Sequence, residues 1–136
     1  MTGPAVELIR CPELTDRAPY AYAAVADGVS RLVFTAGACP LDETGATVAI
    51  GDVAGQAEQA VANLKVALGA AGAGLTDVVK TTVYVATARQ EDLLAAWEVV
   101  SREFGEHDAP STLLGVSVLG YRDQLVEVEA VAVLRS

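Results

Sequence analysis

A strand pattern enclosed by two helix patterns constrains the fold of this chain more than any other feature of its sequence. The segment DVVKTTVYVA alternates β-branched residues with others and places Val79, Thr81, Val83 and Val85 on one face, which predicts a central strand. Helical apolar spacing precedes and follows this strand, so the middle of the chain reads helix, strand, helix. Both helices are then expected to pack against one sheet.

The first helix is expected to begin near Asp52, because an aspartate side chain at an N-cap accepts a hydrogen bond from a free backbone amide of the first turn. A run of glycines after Leu68 is expected to end it. Its apolar stripe follows the i, i+4, i+7, i+11 spacing of one helix face and contains Ala57, Val61, Leu64 and Leu68.

The second helix has its own start and stop signals. Thr87 and Gln90 have the spacing of a capping box, which predicts that the helix begins there. Gly105 is expected to end it. The apolar stripe of this helix repeats the spacing of the first and contains Leu93, Trp97, Val100 and Phe104.

Four further strands are predicted outside the helix, strand, helix segment. Two short strands flank Asp27 and Gly28, a dipeptide that tolerates the positive φ of a tight hairpin. Two more follow the second helix, LLGVSVL from Leu113 and LVEVEAVAVL from Leu125, and the turn GYRDQ joins them. This order predicts an α+β fold in which both helices cover one face of a mixed sheet. The other face also carries apolar residues, which favours its burial against further copies of the chain.

The length and composition limit the architecture and the partners. With 136 residues the chain is expected to form a single domain, spanning residues 1–136, with one pocket. Hydrophobic residues make up 52% of the chain and aromatic residues 5%, so we expect a core of Ala, Val and Leu. A net charge of −9 disfavours nucleic-acid binding. The lack of a long apolar run and of a basic, apolar leader predicts a cytoplasmic protein that does not enter a membrane.

Four residues have the chemistry of a small-molecule site, and each also has an ordinary structural role. Glu127 and Glu129 interrupt the apolar side of the last strand. Burying an unpaired carboxylate is costly, so such a residue is paired, near an edge or placed for proton transfer. Ser111 and Thr112 follow Pro110, where they could donate hydrogen bonds to an anionic ligand or simply begin a strand.

The aromatic and reactive side chains leave similar alternatives open. Tyr20 could line a pocket or fill an apolar gap, and Trp97 could belong to the core, an interface or a ligand site. Cys11 and Cys39 lack the spacing of metal ligands, and no glycine-rich phosphate loop occurs, so we predict neither a metal nor a cofactor. Cys39 also has no adjacent cation to lower its pKa, which disfavours a role as nucleophile. His107 has no partner residues of a nucleophilic triad near it and is expected in a surface turn.

The sequence from Ala18 to Val133 resembles the RidA/YjgF family. The segments APYAYAAV, LVFTAGACPLDETG and LVEVEAVAV are similar to the family's GPYSQAV, LLFVSGQIPLDPETG and LVEIEAIAV. The resemblance implies a chorismate-mutase-like fold with a mixed six-stranded sheet, and a homotrimer with small-molecule clefts between subunits. It also implies cofactor-free hydrolysis of reactive enamines and imines, such as 2-aminoacrylate, to a ketoacid and ammonia.

The resemblance further implies which residues form the cleft. Two family positions are retained, Tyr20 and Glu127, and the glutamate is the residue expected to orient or activate water. The family's arginine in a P-A-R-S/T motif, which clamps the substrate carboxylate, corresponds to Ser111. Further departures are Leu113 for a cysteine, Ala36 for a serine and Trp97 for an asparagine. The chain thus resembles a divergent subgroup, and Arg122 is the only nearby arginine that could replace the clamp.

Three functions fit these residues. In the first, the chain hydrolyses or deaminates a reactive imine, enamine or related carbonyl metabolite other than the usual amino-acid-derived imines. Glu127 would act on water, while Ser111, Thr112 and the backbone near Gly37 hold an oxygen. In the second, the same cleft binds a small metabolite without catalysis. The third, an endoribonuclease, is disfavoured by the acidic composition and by the lack of a His or Lys dyad.

Overall fold

Two α-helices and six β-strands make up the part of the computed structural model that is described, residues 5–135. In chain order they are β1 (Val6–Ile9), β2 (Ala23–Ala26), β3 (Arg31–Phe34), α1 (Val53–Ala70), β4 (Val78–Ala86), α2 (Gln90–Phe104), β5 (Ser111–Val116) and β6 (Val126–Leu134). Neither helix combines the length and the apolar character needed to cross a lipid bilayer.

Four of the strands form a mixed sheet in the order β3, β6, β4, β5. The pair β4 and β5 is parallel, whereas β6 is antiparallel to both of its neighbours. Helix α1 packs on β6, α2 packs on β4 and β5, and the helices contact each other, so both cover one face. The predicted α+β fold with six strands and two helices on one face is confirmed. Two of the six strands, β1 and β2, form a separate antiparallel ribbon.

The predicted hairpin at Asp27 and Gly28 is wrong, although its two strands exist. Gly28 does have a positive φ of 67° and turns the chain. However, β2 pairs with β1, a strand that the sequence analysis missed, and β3 pairs with β6. A turn dipeptide fixes where the chain bends, whereas tertiary packing decides which edge each strand joins.

The start of α1 follows the prediction, and the start of α2 does not. Asp52 is the N-cap of α1, and its Oδ1 accepts a hydrogen bond from the Gly55 amide at 3.0 Å. The capping box at Thr87 does not form, because the Thr87 hydroxyl donates instead to Asp92 Oδ2 at 2.7 Å and α2 begins at Gln90. Both apolar stripes face the core, and the members of the α1 stripe have no exposed surface.

The core face of β4 differs from the predicted one at its first residue. A register shift between Val78 and Lys80 marks a β-bulge, which turns Val78 into the core and leaves Val79 half-buried. From Thr81 onward the alternation is as predicted. Strand β5 begins at Ser111 rather than at Leu113.

We call the side of the four-stranded sheet that is opposite the helices the open face. Along β6, Glu127 and Glu129 alternate with core residues and therefore point to the open face. Leu32 and Phe34 lie on the same face at β3, where they expose 61% and 70% of their surface. Large apolar side chains with this exposure favour burial against another protein surface.

Candidate functional site

A cavity of about 440 Å³ lies where α2 meets the start of β5. Its walls combine the loop before β2, one turn of α2 and the first residues of β5, and they consist of Pro19, Tyr20, Leu94, Trp97, Ser111, Thr112 and Leu113. Five of the predicted site residues are among them. None of the lining side chains carries a formal charge at neutral pH, so the cavity favours an uncharged ligand.

An aromatic corner forms one wall of this cavity. The rings of Tyr20 and Trp97 meet edge to face, with centroids 6.2 Å apart and planes at 85°. The loop that carries Tyr20 is fixed by a hydrogen bond from the Ala21 amide to the Asp108 carbonyl at 2.8 Å. Trp97 projects from α2 and is half-buried against the core. The corner is therefore held by two separate elements.

Two hydroxyl groups supply the polar part of the cavity. Ser111 Oγ accepts a hydrogen bond from Thr81 Oγ1 at 2.7 Å, and Thr112 Oγ1 accepts one from Lys80 Nζ at 2.7 Å. Because each hydroxyl is used as an acceptor, its own proton remains available to a ligand oxygen or nitrogen. Lys80 was not predicted as a site residue, although its place in β4, two residues before Thr82, sets it on the same face as that residue.

Glu127 and Gly37 form a second cluster around the bridge that joins Ala38 to Val128. The Ala38 amide donates to the Val128 carbonyl at 2.7 Å, and this contact brings the backbone of residue 37 onto the Glu127 side chain. A Cβ atom at residue 37 would lie 2.5 Å from Glu127 Cδ and closer still to Oε2. Only glycine leaves room for the carboxylate in this position.

Two side chains that the sequence analysis did not assign to the site hold the Glu127 carboxylate. Gln124 Nε2 donates to Glu127 Oε1 at 3.1 Å, and Cys39 Sγ donates to the same oxygen at 3.4 Å. Burial, together with the hydrogen bond and the charge of Glu127, raises the pKa of the Cys39 thiol to about 11. The thiol therefore stays protonated at neutral pH and is a hydrogen-bond donor rather than a nucleophile.

Glu129, the other carboxylate of β6, has a different partner. Its Oε1 accepts a hydrogen bond from the Tyr84 hydroxyl, and this bond is the main reason why the pKa of the Tyr84 phenol is raised. Glu129 is thus paired with a side chain of the neighbouring strand, which is the paired arrangement considered above for a carboxylate in a strand.

The sheet separates Ser111 from Glu127 within one chain. Ser111 pairs with the buried Thr81 in the register of β5 and β4, so its side chain lies on the helix side. Glu127 pairs with Tyr84 in the register of β6 and β4, and both point to the open face. Ala36 lies beside Gly37 in a wide groove of about 910 Å³ next to α1. Ser111 and Glu127 therefore lie on opposite faces of the sheet, whereas Thr112 pairs with Thr82 and points to the open face.

Arg122 lies in the turn before Gln124 and β6. Its carbonyl accepts a hydrogen bond from the Thr47 hydroxyl at 2.8 Å, and its side chain is exposed. Arg122 is not among the residues that line the cavity with Ser111. Within one chain it is therefore not placed to act as the substitute arginine that the sequence analysis considered.

Residues 13–134 match the protein family described as Endoribonuclease L-PSP, so the matched region covers most of the chain. The α+β fold described above agrees with the solved structures of this family. The chain belongs to this family, the RidA/YjgF family that its sequence resembles.

Individual relatives agree with this assignment. The chain is 38% identical over 104 residues to a RutC family protein of Pyrococcus abyssi, covering 76% of this chain and 80% of the relative. It is 35% identical over 127 residues to a 2-iminobutanoate/2-iminopropanoate deaminase of Salmonella typhimurium, covering 89% and 95%. The crystal structure of a Rid family protein from Yersinia pestis superposes with a TM-score of 0.84 at 28% identity, covering 96% and 99%.

Proposed function

We propose that the chain is a homotrimeric Rid-family hydrolase that converts a reactive imine, enamine or related carbonyl metabolite without a carboxylate-clamping arginine. The observation that carries this proposal is the placement of Ser111 and Glu127 on opposite faces of the sheet. A site that uses both Glu127 and the cavity at Ser111 needs the first from one chain and the second from a neighbour. The exposed Leu32 and Phe34 on the open face support association of this kind.

In the proposed reaction, the Glu127 carboxylate takes a proton from water as the water oxygen bonds to the imine carbon. The electron pair of the C=N bond moves to nitrogen, which receives the proton from Glu127. In the resulting carbinolamine the hydroxyl proton passes by way of Glu127 to the nitrogen, the C–N bond breaks, and ammonia leaves as the carbonyl forms. The hydroxyls of Ser111 and Thr112 bind the polar end of the ligand, and no cofactor takes part.

The cavity defines the substrate class that we propose. A bidentate cation is the usual clamp for an α-carboxylate, and the family resemblance implies that Ser111 stands where the arginine would be. Tyr20, Trp97 and Leu113 instead supply an apolar and aromatic wall. We therefore propose an uncharged imine with an apolar or aromatic substituent, in contrast to the 2-imino acids named for the Salmonella relative.

The test compares ammonia release from freshly generated 2-iminopropanoate and from benzophenone imine, an uncharged aromatic ketimine. The native chain should prefer the ketimine, and Ser111→Arg should shift the preference toward 2-iminopropanoate because it restores a guanidinium for the carboxylate. A native preference for 2-iminopropanoate would contradict the proposed substrate class. Thr76→Ala, an exposed residue that lines neither the cavity nor the Glu127 cluster, controls for changes unrelated to the cavity.

A second function is favoured because the family resemblance implies a serine, Ser111, in place of the clamping arginine, while Ser111 still lines a cavity. Under this alternative the trimer binds a small apolar metabolite and does not turn it over. Saturable binding of a ketone product, with no ammonia released from either imine above the uncatalysed rate, would favour this alternative over hydrolysis.

A further inference from the structure

The two oxygens of the Glu127 carboxylate have different surroundings. Oε1 receives both donors of the cluster, Gln124 Nε2 and Cys39 Sγ. None of the hydrogen bonds among residues 5–135 reaches Oε2. Within the same residues no fully buried side-chain oxygen lacks a partner, so Oε2 keeps some accessible surface. One oxygen is therefore fixed by the protein, and the other is free to meet a ligand or water.

The orientation of Gln124 is determined by its own contacts. Only 4% of the residue is exposed, and its Oε1 accepts a hydrogen bond from the Tyr121 amide at 3.1 Å. Its Nε2 also donates to the Val126 carbonyl at 3.1 Å. A flipped amide would place an oxygen against two acceptors and an NH₂ group against a donor, so the NH₂ group must face Glu127.

Cys39 is held by its backbone as well as by its side chain. Asn63 Nδ2 donates to the Cys39 carbonyl at 2.8 Å and to the Leu41 carbonyl at 2.9 Å, which ties this loop to α1. In the family segment that resembles LVFTAGACPLDETG, the position of Cys39 holds isoleucine, which has no hydrogen to donate. The thiol contact to Glu127 is therefore a property of this chain's own sequence.

We propose that Gln124 and Cys39 are positioning residues that anchor Oε1 of Glu127 and thereby aim Oε2 at the reacting water. This inference rests on the proposed function, since it names the residues that orient its base. Gly37 completes the arrangement because it leaves space for Oε2. A carboxylate that is fixed through one oxygen occupies unproductive rotamers less often. Misplacement of a catalytic group by about 1 Å can lower the rate on the order of 100-fold.

A first experiment tests the contact without any substrate. In a Cys11→Ser background Cys39 is the only thiol of the chain, and its alkylation by iodoacetamide at mildly alkaline pH follows the thiolate fraction. Glu127→Gln should speed alkylation about tenfold for each unit by which the Cys39 pKa falls, because the carboxylate raises that pKa. Gln124→Met should slow it, because the polar Gln124 amide near the sulfur lowers the pKa of the thiol.

Glu129→Gln is the matched control, since it removes a carboxylate from the same face of β6 without touching the thiol. Its alkylation rate should stay within about twofold of the background protein. Equal rates in the background protein, Glu127→Gln and Gln124→Met would overturn the proposal, whatever the activity of the protein.

A second experiment separates positioning from folding through kinetics. Cys39→Val and Gln124→Met should each lower kcat about tenfold and leave KM nearly unchanged. The thermal stability of each variant is measured beside that of the native chain, so that a loss of folded protein is accounted for. Cys39→Ser keeps a hydroxyl donor and should recover most of kcat. Native kcat in both donor-free variants would overturn the positioning role and leave the proposed hydrolysis intact. If the native chain releases no ammonia, the proposed hydrolysis fails, and the alkylation rates alone decide the contact.

Discussion

Gly37 and Glu127 are packed so closely that the backbone of one residue defines the space available to the carboxylate of the other. A Cβ at residue 37 would lie 2.5 Å from Glu127 Cδ. Gly37 is not among the glycines with positive φ, so the requirement for glycine comes from this contact and not from backbone conformation. The residue therefore acts on the candidate base rather than on the fold.

Gly37→Ala is expected to reduce turnover at least about tenfold while the melting temperature changes little, because the carboxylate must rotate away from its place. Gly69→Ala provides the control, since a Cβ at Gly69 in α1 meets no atom within 4 Å. That change should raise helix stability by roughly 0.5–1 kcal/mol. Ammonia release and thermal unfolding measure both effects. Loss of stability without loss of turnover in Gly37→Ala would contradict the prediction.

Glu127→Gln should abolish turnover and leave ligand binding largely intact, because the amide keeps the shape of the side chain but cannot accept a proton from water. Initial rates of ammonia release give the first quantity, and calorimetric titration with a ketone product gives the second. Glu129→Gln should keep activity, since its partner is Tyr84. An active Glu127→Gln variant would remove Glu127 from the role of base.

Trp97 is the only tryptophan of the chain, so its fluorescence reports directly on the cavity. Acetophenone, an uncharged aromatic ketone, should change the emission in a saturable way, whereas 2-oxobutanoate should not. The physical reason is that the cavity walls offer aromatic surface and no cation for a carboxylate. A response to 2-oxobutanoate alone would point to a carboxylate site that lies outside the walls described above.

The native protein is expected to scatter light as a particle of three times the mass of one chain. Phe34→Asp should dissociate it, because the change places a charge on the apolar open face where Phe34 exposes 70% of its surface. Leu14→Asp replaces another exposed apolar residue, 65% exposed and outside the sheet, and should leave the mass unchanged. A monomer at micromolar concentration in the native protein would refute the trimer.

Asp42 should report acid-induced loosening of the loop before α1. The Thr44 hydroxyl and the Thr44 and Ala46 amides donate to its carboxylate, and these bonds hold the pKa of Asp42 below its ordinary value. A lowered pKa in the folded state means stabilisation at higher pH that is lost as the pH falls through that pKa. Amide NMR signals of Thr44 and Ala46 should shift with a midpoint below that of an ordinary aspartate. Asp42→Asn should remove this titration.

Local signals in the sequence predict the helices well, whereas pairings between distant segments leave no such signal. Asp52 and the α1 stripe lie within one segment, so the amino-acid pattern alone is enough to locate this helix. The pairing of β2 with β1 depends on contacts between distant segments, and Gly28 carries no information about it. The bulge at Val78 cannot be predicted from the sequence either, because a bulge is defined by the register between β4 and β6.

The candidate site shows the same limit. Glu127 and Glu129 both stand out as carboxylates on an apolar strand face, and the family resemblance then favours Glu127. Gln124 could not, since a glutamine in a polar turn is ordinary until its amide is seen facing Glu127. The sequence correctly predicts that Cys39 is a poor nucleophile, but its role as a donor depends on a partner 88 residues away.

Because Ser111 and Glu127 lie on opposite faces of one sheet, each proposed cleft is formed by residues of two chains. A variant that lacks the Glu127 carboxylate and a variant whose cavity at Ser111 is blocked would each be inactive alone. When they assemble together, some neighbours pair an intact cavity with an intact carboxylate. The activity of a mixture of the two variants would then depend on how often an intact cavity lies next to an intact carboxylate, and not on the fraction of unaltered chains. Two inactive variants could therefore restore activity when they assemble together.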